Sequence, residues 1–420
     1  MFLSVLLVYI VVPILCVWTL RNAFVGICTY YFWSFYRPKD IYFYSIGQEG
    51  ARFTRYIAIV TIVSFIVHHK KYTNFFRSLW YPLQNRLMLF YFIFLCISQM
   101  VSIAPEFSRY AFDIISKLLL MYFLATAIVN DEKKIRIVME VYMFSFILLA
   151  WWATGKYYFE GIMNIEDALA YSGSYSDRNF FAMLFVMSLP FCILYPFTIK
   201  KNITRYIVWF FAPIMMNVIY ITASRGGFLG MVMSGLASGI KIKSKKIMLV
   251  ALIIGIVLGI RLMGQRAGDR IKTIFVEEGE RDAAATSRKD AWKRAINCSV
   301  ENPLGIGPYC FQLYKSAGFG GAPAAHNFYL QVAAEQGIAS ALILVFLILL
   351  SFWDLGVIIR ISKNDSRLIN YYYYASMITA SLCGFVLSSV FLSLSMFEPF
   401  YFLVAMTVIL KNVLLKELSK

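Results

Sequence analysis

Long apolar runs separated by short polar connections dominate the sequence, and most runs approach the roughly 20 residues that a helix needs to cross a bilayer. They are too continuously apolar for the alternating pattern of a membrane β-barrel. We therefore predict an all-α polytopic integral membrane protein with 12 or 13 transmembrane helices, depending on whether the short run 22–36 crosses. The predicted spans are 2–20, 22–36, 54–67, 86–104, 110–129, 135–154, 180–198, 205–222, 226–241, 247–262, 331–359, 369–393 and 397–411.

Composition supports the same fold class. Hydrophobic residues make up 60% of the 420 residues and charged residues 15%, whereas soluble domains carry about 25% charge. The mean hydropathy is +0.67. These values exclude a soluble enzyme, a secreted disulfide scaffold and a disordered chain.

The net charge of +17 is distributed in short basic clusters between the apolar runs. This is the pattern that the positive-inside rule produces, and it predicts a cytoplasmic C-terminus. A nucleic-acid-binding protein would gather such charges on one surface, so we expect no nucleic acid among the partners. The clusters are Lys70–Lys71, Lys133–Arg136, Lys200–Lys201, Lys241–Lys246, Arg360–Arg367 and Lys411–Lys420.

We interpret residues 1–420 as one integral membrane domain, in which the connection 263–330 forms a long, partly helical loop on the outer side. A structureless connection of that length is uncommon without a functional role. The N-terminus lacks the basic region and cleavage site of a signal peptide and is interpreted as a first span. Cys298 and Cys310 share the outer loop, where two unpaired thiols are favoured over a disulfide.

Arg225 lies in Ser224-Arg225-Gly226-Gly227, between two predicted spans at the bilayer edge. Its guanidinium has the geometry to bind a phosphate with two hydrogen bonds, and the glycines permit close approach of a ligand. An arginine that extends its charge to the interface at a tight turn fits the sequence equally well.

Arg288 follows Ser287, which with Asp290 has the form of a capping box and predicts a helix beginning there. Arg288 would then lie in the first helical turn, where the helix dipole favours an anion. A surface helix lying on the membrane with solvated charges is the competing interpretation.

His326 is the one histidine on the predicted outer side, since His68 and His69 adjoin a basic cluster. With no second histidine at ligand spacing it is a poor metal ligand, and we expect no metal or other cofactor. It is suited to act as a general base near neutral pH, although a lone histidine is more often structural. Glu335, nine residues later, would orient the histidine, pair with an arginine or satisfy a packing contact.

Two further outer motifs are interpreted mainly as structural. Asp177 or Asn179 would cap the helix that follows, and Arg178 beside them is a candidate anion ligand. The segment Asn302–Gly307 contains G-x-G but lacks the strand and third glycine of a dinucleotide site, so it predicts a helix stop and a turn.

Together these segments resemble the O-antigen ligase and O-antigen polymerase superfamily of bacterial envelope enzymes. The matching motifs occur in the family's order. They are G-x-x-x-D-R-N at Gly173–Asn179, S-R-G-G at Ser224–Gly227, S-R-x-x-x-W at Ser287–Trp292, N-P-L-G-x-G at Asn302–Gly307, and H-N-x-Y-L with E-x-G at His326–Gly337. The N-terminal Trp33-Ser34-Phe35 with Arg37-Pro38 looks like the exosortase-associated O-glycosylation ligases within that superfamily.

The resemblance implies a metal-independent, inverting glycan ligase in the bacterial inner membrane, with its site on the periplasmic face. The donor would be a saccharide on undecaprenyl pyrophosphate, and the acceptor a hydroxyl of core lipid, glycan or protein. Arg225 and Arg288 would hold the pyrophosphate, and His326 would be the catalytic base. Arg178, Asn327, Asp177 and Glu335 would contribute to substrate binding.

Two alternatives remain open from the sequence. A polysaccharide polymerase would use the same donor and the same residues. A membrane transporter would place charge inside its spans, and the spans here hold little of it, mainly Asp113, Lys117 and Glu140. The first two are spaced to pair along one helix.

Overall fold

The computed structural model describes residues 2–37, 53–72, 80–161, 177–242, 282–314 and 324–419. These residues form α-helices and short 3₁₀ turns, with no strand among them. The helices are α1 (Phe2–Arg21), α2 (Ala23–Tyr36), α3 (Phe53–Val67), α4 (Leu83–Met100), α5 (Pro105–Ile128), α6 (Glu132–Tyr158), α7 (Arg178–Leu194), α8 (Asn202–Ile221), α9 (Arg225–Lys241), α10 (Asp282–Glu301), α11 (Phe328–Gln336), α12 (Ile338–Ser362), α13 (Ile369–Ser389) and α14 (Glu398–Leu418).

The all-α polytopic membrane fold is confirmed. Seven helices in the described ranges are long and apolar enough to cross a membrane: α4, α5, α6, α7 with its 3₁₀ extension, α8, α12 and α14. Every span predicted from the sequence overlaps a single α-helix except two: 331–359, and 247–262, which lies outside the described residues.

One predicted span is wrong in its boundaries. The run 331–359 is divided at Gly337 into α11 and α12, because this glycine has a φ of +92°. A Cβ at Gly337 would lie 2.8 Å from the carbonyl oxygen of Pro303. The break therefore depends on a backbone contact with a segment 34 residues earlier, which a hydropathy profile does not detect.

The helix ends separate into two groups, which we call the basic end and the site end. At the basic end, the Tyr372 hydroxyl donates to the Lys241 carbonyl at 3.0 Å, and the Asn370 amide donates to Glu132 at 2.8 Å. These contacts bring the starts of α6 and α13 together with the end of α9. The basic clusters at 133–136, 241 and 360–367 therefore adjoin, as the alternation of basic and non-basic connections predicts.

Close packing of three helices forms the centre of the bundle at the site end. A Cβ added to Gly230 of α9 would lie 3.0 Å from Val186 of α7 and 3.2 Å from the Gly384 carbonyl of α13. A Cβ added to Gly384 would lie 2.7 Å from the same valine. Small residues permit this approach, which is how helices commonly associate in membranes.

The N-terminal helices belong to the same bundle. The ring of Phe35 in α2 lies 5.1 Å from Tyr142 of α6, and Tyr142 stacks on Phe402 of α14 at 4.6 Å. The short run 22–36 is thus a helix of the bundle core.

Candidate active site

The starts of α7 and α9 are joined by a polar bridge. Asp177 caps α7 by accepting hydrogen bonds from the backbone N–H groups of Asn179 and Phe180, each at 2.8 Å. Ser224 caps α9 by accepting from Gly227 N–H at 3.0 Å, and its hydroxyl donates to Asn179 Oδ1 at 2.8 Å. Arg178 and Arg225, the first residues of the two helices, therefore extend from neighbouring helix starts.

The glycines after Arg225 allow this bridge to form. A Cβ at Gly227 would lie 2.6 Å from Cβ of Ala182 in α7, so a larger residue would push the two helix starts apart. The turn before α9 is tight, with Ala223 in the left-handed region at φ +50°. The predicted tight turn at the bilayer edge is present, and the Arg225 side chain is exposed.

Two adjacent serines at the end of α13 connect the starts of α9 and α11. Ser388 donates to the Gly226 carbonyl at 2.9 Å, and Ser389 donates to the Tyr329 hydroxyl at 3.0 Å. Gly226 follows Arg225, and Tyr329 lies three residues after His326. This last turn of α13 therefore positions the segment of Arg225 beside the segment of His326, and the sequence analysis did not identify it.

His326 lies immediately before α11, in a strained backbone conformation. Its φ is +47°, a region that non-glycine residues rarely occupy and that is enriched at functional sites. Asn327 caps α11 by accepting from Leu330 N–H at 3.1 Å. The Ala325 carbonyl accepts from the Trp292 indole N–H of α10 at 3.0 Å, so α10 is attached to the chain next to His326.

The predicted start of α10 is wrong. The helix begins at Asp282, five residues before the Ser287 that the capping-box pattern favoured. Three alanines at 283–285 explain the extension, because alanine is the strongest helix former. Arg288 therefore lies in the second turn, away from the helix start. Any affinity of this residue for anions depends on its own charge and not on the helix dipole.

Electrostatic coupling indicates which charges surround His326. Partial burial lowers the pKa of the imidazole, as does the positive charge of Arg288, while the negative charge of Asp177 raises it. Arg288 and Asp177 are thus both close enough to act on His326. The net effect lowers the pKa of the imidazole, which favours the neutral form that can accept a proton.

The exposed or half-buried side chains of Arg225, Arg288, Arg178 and His326 form a cluster that is accessible and positively charged, which suits an anionic ligand. Arg225 and Arg288 are exposed, and Arg178 and His326 are half-buried. The positive ends of the α7, α9 and α11 dipoles meet at the same place, which adds to the attraction for an anion. Among the described residues, no group of three histidine, cysteine or acidic side chains could hold a metal ion.

Glu335 lies in the last turn of α11. It is buried, and its Oε1 accepts from the Gln331 amide at 2.9 Å and from Phe311 N–H at 3.4 Å. Burial raises the pKa of the carboxyl to about 7. Of the roles considered from sequence, these contacts fit the packing role, and its predicted contribution to substrate binding stays a prediction.

The Asn302–Gly307 motif and the Glu335-Gln336-Gly337 motif contact each other through their backbones. Gly307 N–H donates to the Glu335 carbonyl at 3.0 Å, and Ile338 N–H donates to the Pro303 carbonyl at 3.1 Å. A Cβ at Gly305 would lie 2.5 Å from the Glu335 carbonyl oxygen. The predicted turn is confirmed, and it supports the helix break behind His326.

Residues 210–345 match the O-antigen ligase family model. No curated protein matches the chain. The matched region covers about a third of the chain and includes Arg225, Arg288 and His326, whereas Asp177 and Arg178 precede it. The finer exosortase-associated subtype stays a prediction. This polytopic all-α chain therefore contains a region, residues 210–345, that is similar to the O-antigen ligase family.

Proposed function

We propose that the chain transfers a saccharide from undecaprenyl pyrophosphate to an acceptor hydroxyl of core lipid, glycan or protein. The observation that carries this proposal is the position of a half-buried His326, whose pKa is lowered by burial and by Arg288, near exposed arginines where three helices start. A proton acceptor beside cationic groups fits a reaction that deprotonates an alcohol and releases a pyrophosphate.

In the proposed reaction His326 takes the proton of the acceptor hydroxyl. The acceptor oxygen forms a bond to the anomeric carbon while the bond from that carbon to the pyrophosphate oxygen breaks, with inversion. Arg225 and Arg288 stabilise the negative charge that develops on the departing pyrophosphate. Pyrophosphate is already a good leaving group, so this set of residues needs no metal.

The remaining candidate residues have supporting roles in this proposal. Arg178 adds a third cation at the start of α7. Asp177 adjusts the pKa of His326, and Asn327 holds the start of α11. Glu335 stabilises the turn beneath the site.

The proposed orientation follows from the separation of the helix ends. The basic end would face the bacterial cytoplasm by the positive-inside rule, which places the site end in the periplasm. The C-terminal helix α14 runs toward the basic end, since Lys411 in its second half donates to Asp354 Oδ1 at 2.7 Å in the second half of α12, the helix that ends at the basic cluster 360–367. The protein would thus reside in the inner membrane with a cytoplasmic C-terminus.

The contacts of the intramembrane charges favour transfer over transport. Lys117 forms an ion pair with Asp113, and Arg55 lies 3.7 Å from the same carboxylate. Glu140 accepts a hydrogen bond from the Tyr195 hydroxyl. The few intramembrane charges are therefore paired or hydrogen-bonded.

Acceptor identity is tested with purified protein, an undecaprenyl-pyrophosphate oligosaccharide and EDTA. Three acceptors are offered separately: lipid A–core, a second lipid-linked glycan and a candidate protein. Metal-independent glycosylation of lipid A–core or of the protein supports a ligase, and extension of the lipid-linked glycan identifies a polymerase. An intact donor with every acceptor contradicts the proposal.

A further inference from the structure

Helix α10 has a stripe of exposed basic and apolar side chains. Lys289, Lys293, Ile296 and Val300 are spaced by four, three and four residues, which places them on one face of a helix. All four are exposed, with exposed fractions of 48% for Ile296 and 70% for Val300. This face is available to a partner.

The opposite face of α10 already packs against the protein. Ala295 and Cys298 are fully buried and belong to a small apolar cluster with Phe311. Arg294 is also buried, and its guanidinium lies 4.4 Å from the centre of the Phe311 ring. The helix is thus fixed on one side, and the exposed apolar residues are not needed for that packing.

The segment after α10 reaches the level at which a membrane span begins. The Tyr309 ring stacks on Phe107 at 5.4 Å and lies 6.4 Å from Tyr110. Both partners are in the first turns of α5, a helix that is long and apolar enough to cross a membrane. Aromatic side chains at span ends lie at the membrane–water interface, so α10 leads into a segment at that depth.

We propose that α10 lies on the membrane surface at the site end and binds anionic phospholipid. Ile296 and Val300 insert at the boundary between head groups and acyl chains, and Lys289 and Lys293 contact lipid phosphates. Exposed apolar side chains that can insert, beside lysines whose long side chains can extend to the lipid phosphates, favour a helix in the plane of the interface. The continuity with the aromatic contacts of α5 favours a lipid surface over a protein partner.

This placement fixes the height of Arg288, the residue next to Lys289. With α10 on the membrane surface, the Arg288 guanidinium lies at the depth of the lipid phosphates. A pyrophosphate carried on a lipid would lie at the same depth. The inference concerns the membrane contact alone and does not depend on the transfer reaction.

The test uses the full chain in nanodiscs of phosphatidylethanolamine and phosphatidylglycerol. A genetically encoded fluorescent amino acid replaces Val300, or Asn297 as the matched control. Asn297 is also exposed on α10 but lies at the side of the stripe. Quenching is measured with nitroxide-labelled lipid and, separately, with aqueous iodide.

We expect lipid quenching to be several-fold stronger at position 300 than at 297, and iodide quenching to show the reverse order. The double variant Lys289→Glu and Lys293→Glu is expected to weaken lipid quenching at position 300. Equal iodide quenching at the two positions would indicate a solvated face and overturn the proposal. Protection of position 300 from both quenchers would indicate a protein contact and would also overturn it.

Discussion

The Ser224 hydroxyl donates a hydrogen bond to Asn179 Oδ1 at 2.8 Å and accepts one from Gly227 N–H at 3.0 Å. One side chain thus caps α9 and holds it against the start of α7. Arg225 begins the first of these helices and Arg178 the second, so their relative position depends on Ser224.

Ser224→Ala is expected to lower both stability and activity. Loss of a serine cap costs about 1 kcal/mol, and the bridge to Asn179 is lost as well. The unfolding temperature in detergent and the rate of glycan transfer measure the two effects. Ser419→Ala, at the exposed end of α14, is the control, and an equal loss in both variants would contradict a special role for Ser224.

Asp177→Asn is expected to move the pH dependence of transfer to lower pH. Asparagine still caps a helix, but the negative charge that raises the His326 pKa is removed. In the proposed mechanism the neutral imidazole is the base, so activity falls as pH decreases through its pKa. A lower pKa shifts this fall further into the acid range.

The measurement is the pH profile of kcat/KM from about pH 4.5 to 8, which spans the ordinary histidine pKa. The matched control is Asp131→Asn, which changes the cap of α6 at the basic end. Its profile should equal that of the wild type. A shift toward higher pH in Asp177→Asn would contradict the electrostatic account.

Arg225→Lys is expected to reduce transfer by about 100-fold, in the range seen when one transition-state donor is removed. Lysine keeps the charge but replaces a planar fork by a point charge, which binds phosphate with less geometric specificity. Arg367→Lys, on the exposed surface of the basic end, should retain full activity. Full activity in Arg225→Lys at normal membrane levels would count against pyrophosphate binding.

Gly230→Ala is expected to destabilise the bundle by about 1–3 kcal/mol, the usual range for overpacking. The new Cβ would lie 2.1 Å from Ser388 Oγ, so this hydroxyl must leave the Gly226 carbonyl. Gly235→Ala in the same helix has no atom within 4 Å of its Cβ and is expected to be neutral or stabilising. Thermal unfolding compares the two variants, and equal stability would contradict the packing argument.

The helical architecture could be predicted because the length of an apolar run and the position of a basic cluster depend only on residues that are neighbours in the sequence. The Asp177 cap and the Asp113–Lys117 pair were predictable for the same reason. The start of α10 was not, because a run of alanines outweighed a weak capping pattern. The division at Gly337 depends on Pro303, which is distant in sequence.

The candidate site was only partly accessible from sequence. Motif order selected Arg225, Arg288 and His326 as candidates, but the residues that hold the segments of Arg225 and His326 together are serines, a residue type that carries no such signal. Ser388 and Ser389 acquire their importance from the packing of α13 against α9 and α11. The sequence left three roles open for Glu335, and its contacts with Gln331 and Phe311 are seen only in the fold.

The central claim is that His326 is the base of a glycan transfer, and release of undecaprenyl pyrophosphate from the lipid-linked donor tests it most directly. In the presence of EDTA and a competent acceptor, the wild type is expected to release it. His326→Ala should be slower by about 10²- to 10⁴-fold, the usual contribution of a general base. His68→Ala, at the basic end of α3, should match the wild type. Release by His326→Ala at the wild-type rate would contradict the account.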